Sequence, residues 1–384
     1  MIDVLKNRFV RAIPYQTNIK LLEQPAAFGF LRNPTWDFTW LLCGLWLLPL
    51  VILLDWGEGL ETFFLLCTLL FWLTHRFSSL LLAFTSPSYS SVRKAQPLRF
   101  LGIPVLVILS VFIWLYSPWP TWTLTEKILI LAAIDYAWAL YHFAIQHYGV
   151  LRLYQLRNPM QQGFSSSQQR NWCLLLGGVL PWLGELVQGT TWLQQEGLLN
   201  LTWLSFDSAS IWTLRGAVCW ISVVAWRKLT VQNCSLAYQA YLLSLFLLAN
   251  AAWWISPLAF LVLISVQHWL VAVGIAGHAR SMDSPKNHSG WRVVGIWVLL
   301  TIVAVPFLEI DSVDVANGLG AAWIPGWQTL LVESNWLTFC LGLAFASGFV
   351  HYLMDRAVYR FADPIVRRQV SRLYLSDSPS GRSS

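Results

Sequence analysis

Long apolar stretches, nearly free of charge, recur along the chain and are separated by short polar and basic segments. A transmembrane helix needs about 20 mostly apolar residues. Ten stretches meet or approach that length, near 36–54, 60–84, 100–117, 128–150, 171–188, 210–226, 236–254, 257–277, 293–308 and 335–354. They are continuously apolar rather than alternating over ~10 residues, which predicts helices and not the strands of a β-barrel. The expected fold is therefore all-α: a polytopic integral membrane helical bundle of about 10 transmembrane helices. Residues 1–35 would form an N-terminal segment, 36–354 the bundle, and 355–384 a basic segment ending in the disordered tail SDSPSGRSS. In MIDVLKNRFVRAIP, Ile2, Leu5, Phe9 and Ile13 oppose Lys6, Arg8 and Arg11, the pattern of a helix lying in the membrane interface or of a frayed basic leader. Ser256-Pro257 divides the seventh and eighth spans into a hairpin, while Pro181 and Pro306 are candidate helix breaks.

Composition strengthens the assignment. Of 384 residues, 56% are hydrophobic and only 11% charged, the mean hydropathy is +0.54, and there are 24 Trp. Soluble domains carry about 25% charged residues, and the composition equally excludes a disordered chain or a disulfide scaffold. The six cysteines form no CxxC pair and read as small apolar fillers. Asn200-Leu201-Thr202 matches a glycosylation sequon.

Charge then gives a direction. Of 25 Lys and Arg, all but Arg76, Lys127 and Arg215 fall, with ten spans, at the two termini or in the loops after even-numbered spans, so 22 share one side. Cytoplasmic loops retain positive charge, so both termini are expected in the cytoplasm. Asp55, Glu58, Glu61, Glu309 and Asp311 are among the acids on the other side. A net charge of +6 is accounted for by anionic headgroups, without nucleic acid. The expected partners are membrane lipids and a hydrophobic small-molecule substrate. Arg356, Arg360, Arg367, Arg368 and Arg372 suit lipid phosphates or, alternatively, the docking of an acidic soluble electron donor.

Ionisable groups inside a span are costly and tend to mark function. His75 lies in span two, His142 and His147 in span four, His268 in span eight and His351 in span ten, all at central or cytoplasmic depth. Asp135, His142 and Gln146 share a helix face, as do His351 and Asp355, whereas His147 is turned about 140° from His142. Imidazole suits iron, copper, nickel and zinc, and a carboxylate can complete or orient such a set. The candidate metal ligands are His142, His268 and His351, with His75 or His147 in a fourth position and Asp355 or Asp135 ligating or fixing an imidazole tautomer. Iron is the expected cofactor, with haem or another transition metal as alternatives. Carboxylates are too few for a ferritin-like di-iron centre. Taken singly, a histidine in a span is more often a hydrogen-bond partner of a Ser, Thr or carbonyl on the next helix. The sequence contains no HExxH, GxSxG, P-loop or dinucleotide-binding fingerprint.

A cytoplasm-facing, histidine-held iron is similar to the chemistry of integral-membrane fatty-acid desaturases and hydroxylases. Their HxxxH and HxxHH boxes do not occur here, and His142-x4-His147 is one residue longer than the first. Polytopic carotenoid-cleaving dioxygenases, whose iron is bound by histidines from several spans, resemble the chain in architecture. Neither resemblance assigns a role to an individual residue. The expectation is an iron-dependent oxidoreductase acting on a lipid, isoprenoid or pigment. The alternatives are a transporter using the histidines as a proton relay and an assembly protein of a membrane complex.

Overall fold

The computed structural model describes residues 29–157, 166–195, 206–230, 234–283, 289–305, 336–360 and 362–375. The predicted interfacial segment 1–14, the sequon at Asn200, Pro306 and the tail from 376 onward lie outside them. Every described element is helical: α1 (Pro34–Leu41), α2 (Gly44–Trp56), α3 (Leu60–Thr85), α4 (Pro87–Ala95), α5 (Leu98–Tyr116), α6 (Leu124–Arg157), α7 (Ser166–Thr190), α8 (Ser208–Leu229), α9 (Leu236–Ala251), α10 (Pro257–Met282), α11 (Gly290–Ile302), α12 (Trp336–Val358) and α13 (Pro364–Leu375).

Seven helices, α3, α5, α6, α7, α8, α10 and α12, are long and apolar enough to cross a membrane, and the pair α1 and α2, bent by 49°, makes an eighth if it is one span. The other two predicted spans correspond to α9 and α11, apolar helices of 16 and 13 residues. The hairpin at Ser256-Pro257 is built as its residues suggest. The Ser256 hydroxyl accepts from Ala259 N–H and Pro257 starts α10, where its missing N–H is harmless. Pro181 does not break α7. A π-helical stretch, Leu175–Val179, immediately precedes it and widens the turn that the proline ring would otherwise crowd. A second π-helical stretch, Thr68–Trp72, comes just before His75 in α3.

α10 lies at the centre of the bundle. Apolar around most of its circumference, it packs on α2, α3, α11 and α13 and buries most of its residues. At Gly277 an added Cβ would lie 2.6 Å from Val294 on α11, so only glycine lets those helices approach this closely. By contrast, α5 exposes Leu98, Leu101, Leu106, Leu109 and Ile113, an outer surface suited to lipid.

The charged residues inside the bundle are accommodated locally. Arg76 donates to the Ala344 carbonyl at 2.9 Å and the Ser347 hydroxyl at 3.2 Å, tying α3 to α12. Lys127 caps carbonyls of Leu115 and Ser117 at the end of α5. Arg215 donates to the Trp253 carbonyl at 2.8 Å.

Two helices were not anticipated, because both are short and polar. α4 begins where Ser86 and Ser88 bond Asp283 at the end of α10. α13 falls within the segment read simply as basic. It buries Val366, Val370, Leu373 and Tyr374 against α10, α6 and α4, and turns Arg367, Arg368 and Arg372 outward.

Candidate metal centre

Four separate helices each bring one buried histidine to the same point: His75 from α3, His142 from α6, His268 from α10 and His351 from α12. One ring nitrogen of each lies within 4.8 Å of those of the other three, an arrangement that could hold a metal ion. The rings pack edge to face, with centroids 4.4 Å apart for His75 and His351, 4.7 Å for His75 and His268, and 5.0 Å for His142 and His351.

Hydrogen bonds around the cluster determine which nitrogens face inward. His75 Nδ1 lies 3.0 Å from the Trp72 carbonyl. A carbonyl only accepts, so Nδ1 carries the proton and Nε2 presents a lone pair. His268 Nδ1 lies 2.6 Å from Gln146 Oε1, while the amide nitrogen of Gln146 donates to the His268 carbonyl at 3.3 Å. That second bond sets the direction of the Gln146 amide, so His268 Nδ1 must also be the donor and Nε2 bare. The two bare Nε2 atoms face one another 3.0 Å apart. In these tautomers no proton lies between them and their lone pairs repel; a shared cation would turn the repulsion into ligation. At that separation both nitrogens could lie at an ordinary metal–imidazole distance, about 2.0–2.1 Å, from one ion.

The other two imidazoles are similarly short of protein partners. His142 Nε2 and both nitrogens of His351 are buried without a hydrogen bond, a state that costs about 1–3 kcal/mol per group if nothing else satisfies it. The Asp355 carboxylate lies between these rings, 3.3 Å from His142 Nε2 and 3.6 Å from His351 Nδ1. It would offset part of the charge of a divalent ion and orient both rings. The four nitrogens, all within 4.8 Å of one another, would draw closer to share one ion at ~2.1 Å, since even ligands opposite one another across it stand at most ~4.2 Å apart.

Two predicted candidates lie elsewhere. His147, on the other face of α6, has Nδ1 2.9 Å from the Tyr241 hydroxyl. An added Cβ at Gly177 would come within 2.6 Å of its ring, so this histidine fills the contact of α6 with α7 and α9. Asp135 is beside Gly348 and Arg76, two turns before His142. Gln146 was noted in the sequence only for sharing a face with His142; its hold on His268 became visible once α6 and α10 were side by side.

A cavity of about 420 Å³ opens beside the cluster between α6, α10 and α12. His142, Gln146 and Asp355 form part of its wall, and Trp138, Ile145, Ala272 and Ile275 make it largely apolar. The chain matches no family model, no curated protein and no solved structure. Its own geometry is thus the basis for reading the site.

Proposed function

We propose that the protein is a membrane-embedded, metal-dependent oxidoreductase, with iron held by His75, His142, His268 and His351, acting on a long apolar molecule. The observation that carries this reading is the convergence of four buried imidazoles, one ring nitrogen of each within 4.8 Å of the other three, with His75 and His268 Nε2 facing at 3.0 Å. An all-nitrogen set suits a borderline transition metal. Convergence on one point favours a single ion over haem, which offers only two axial positions. It also favours ligation over a proton relay, whose groups would be strung out along a path. Such an ion would activate dioxygen, while the aromatic and aliphatic wall of the adjoining cavity holds substrate and excludes water. Asp355 and Gln146 would fix the tautomers of the ligating rings. In the orientation expected from the basic residues, the site would occupy the cytoplasmic half of the bilayer, within reach of a soluble, acidic electron donor.

The test is metal analysis of the detergent-purified protein beside His142→Ala and His351→Ala. The expected result is about one iron per chain, lost in both variants while both remain folded. Substoichiometric metal in the wild type would sink the proposal. Unchanged content in both variants would refute the ligand set.

A further inference from the structure

We propose that the cavity beside the histidine cluster binds a long-chain amphiphile with an anionic head, a carboxylate or a phosphate, and directs its chain toward His142. This deepens the oxidoreductase reading by naming its substrate class, and rests on that reading only for what happens to the chain once bound.

The shape is that of a slot. Its wall on α6 runs from Trp138 to Leu153, which at 1.5 Å per residue is about 22 Å. The volume, about 420 Å³, is in the range of small-molecule sites, roughly 300–1,000 Å³. Val150, Leu153, Ala272 and Ile275 give an apolar lining suited to a hydrocarbon chain.

Charge in the wall is one-sided. Arg170 from α7, with Arg356 and Arg360 at the end of α12, all line the cavity and are exposed. Among the described residues the one acid in the wall is Asp355, which faces His142 and His351. Asp363, the nearest acid in sequence, is engaged by Gln96 and Arg99. Among the described residues no ion pair joins any of the three arginines. A neutral hydrocarbon would be served by an uncharged rim. Three guanidinium groups on an apolar slot are suited to a carboxylate or phosphate, which they bind in bidentate fashion. Arginines that merely snorkel to bilayer headgroups would leave the slot indifferent to the charge of its occupant.

The experiment uses metal-stripped, detergent-purified full-length protein, so its outcome is independent of whether iron binds. The probe is a fluorescent conjugated C18 polyene acid, compared with its methyl ester. We expect the acid to bind at least about tenfold more tightly than the ester. Arg356→Gln with Arg360→Gln should erase that preference and leave ester binding unchanged, and Arg170→Gln should reduce it. Gly149→Phe should weaken both ligands: a Cβ at Gly149 meets nothing within 4 Å, so the ring can enter the slot without disturbing the helix. Displacement by oleate identifies a free fatty carboxylate as the fitting head and displacement by lysophosphatidate a phospholipid head; either supports the proposal, and inorganic phosphate should displace nothing. Equal affinity for acid and ester, or binding indifferent to Gly149→Phe, would overturn it.

Discussion

Gln146 sets the proton position on His268 without being able to ligate strongly itself. Its carbonyl oxygen takes the Nδ1 proton and its amide nitrogen is held by the His268 carbonyl. Gln146→Leu should therefore weaken metal retention by roughly 10–100-fold, the usual cost of losing an outer hydrogen-bond partner of a ligating histidine. Gln146→Glu, which still accepts from Nδ1, should retain most of the affinity. Titration against a competing chelator would distinguish them, and equal retention in both would deny Gln146 this role. The sequence made some of this visible. Histidines in four apolar spans are expensive, and His351 with Asp355 one turn on is readable from spacing alone. The reach of Asp355 to His142 was not readable, because it depends on how α12 lies against α6. For the same reason spacing could show that His147 turns away from His142 but not that Tyr241 would meet it.

Among the helices, those hidden from hydropathy are the two that never enter the apolar pattern. α13 shows its register in Val366, Val370, Leu373 and Tyr374, but the intervening arginines equally suit a basic segment at lipid phosphates. Its start is held by Asp363, whose carboxylate accepts from the N–H of Ile365 at 2.9 Å and of Val366 at 3.3 Å, and from Gln96 at 2.8 Å. Burial opposes ionisation there, but these bonds and the Arg99 charge hold the Asp363 carboxyl below its ordinary value. A depressed carboxylate stabilises the fold fully above the ordinary aspartate range, and the contribution fades as pH falls through the lowered folded-state value. Asp363→Asn should thus melt below the wild type at neutral pH, with the gap narrowing on acidification toward and below pH ~4. Thermal melts across that range would check it; a gap that widens in acid would show the ionised cap is not the cause. The π-helical stretches were likewise illegible, since Pro181 announces a disturbance but not whether the helix stops or widens.

For the molecule as a whole, one ion would join helices distributed over most of the chain. Anything that binds only the folded state stabilises it by mass action, about 2.7 kcal/mol at a free concentration one hundred times Kd. Chelation should accordingly lower the melting temperature of the wild type and leave His142→Ala unaffected; a chelator shift of equal size in both would place the responsible metal elsewhere. Charge distribution made the expected direction of the bundle legible, and apolar length made its helices legible. Which helix lies at the centre was less so, because α5 is as evenly apolar as α10 yet faces outward.

The positions of the four histidines also set an order of events in biogenesis. Of the four, His75 is made first and His351 last, with His142 and then His268 between them. While the chain is being synthesised from its N-terminus, the inserted helices can present two and then three of the imidazoles. The fourth arrives only when α12 enters the membrane. Completion of the four-histidine cluster therefore waits for α12, and a metal held there would mark a chain in which α12 has reached its place.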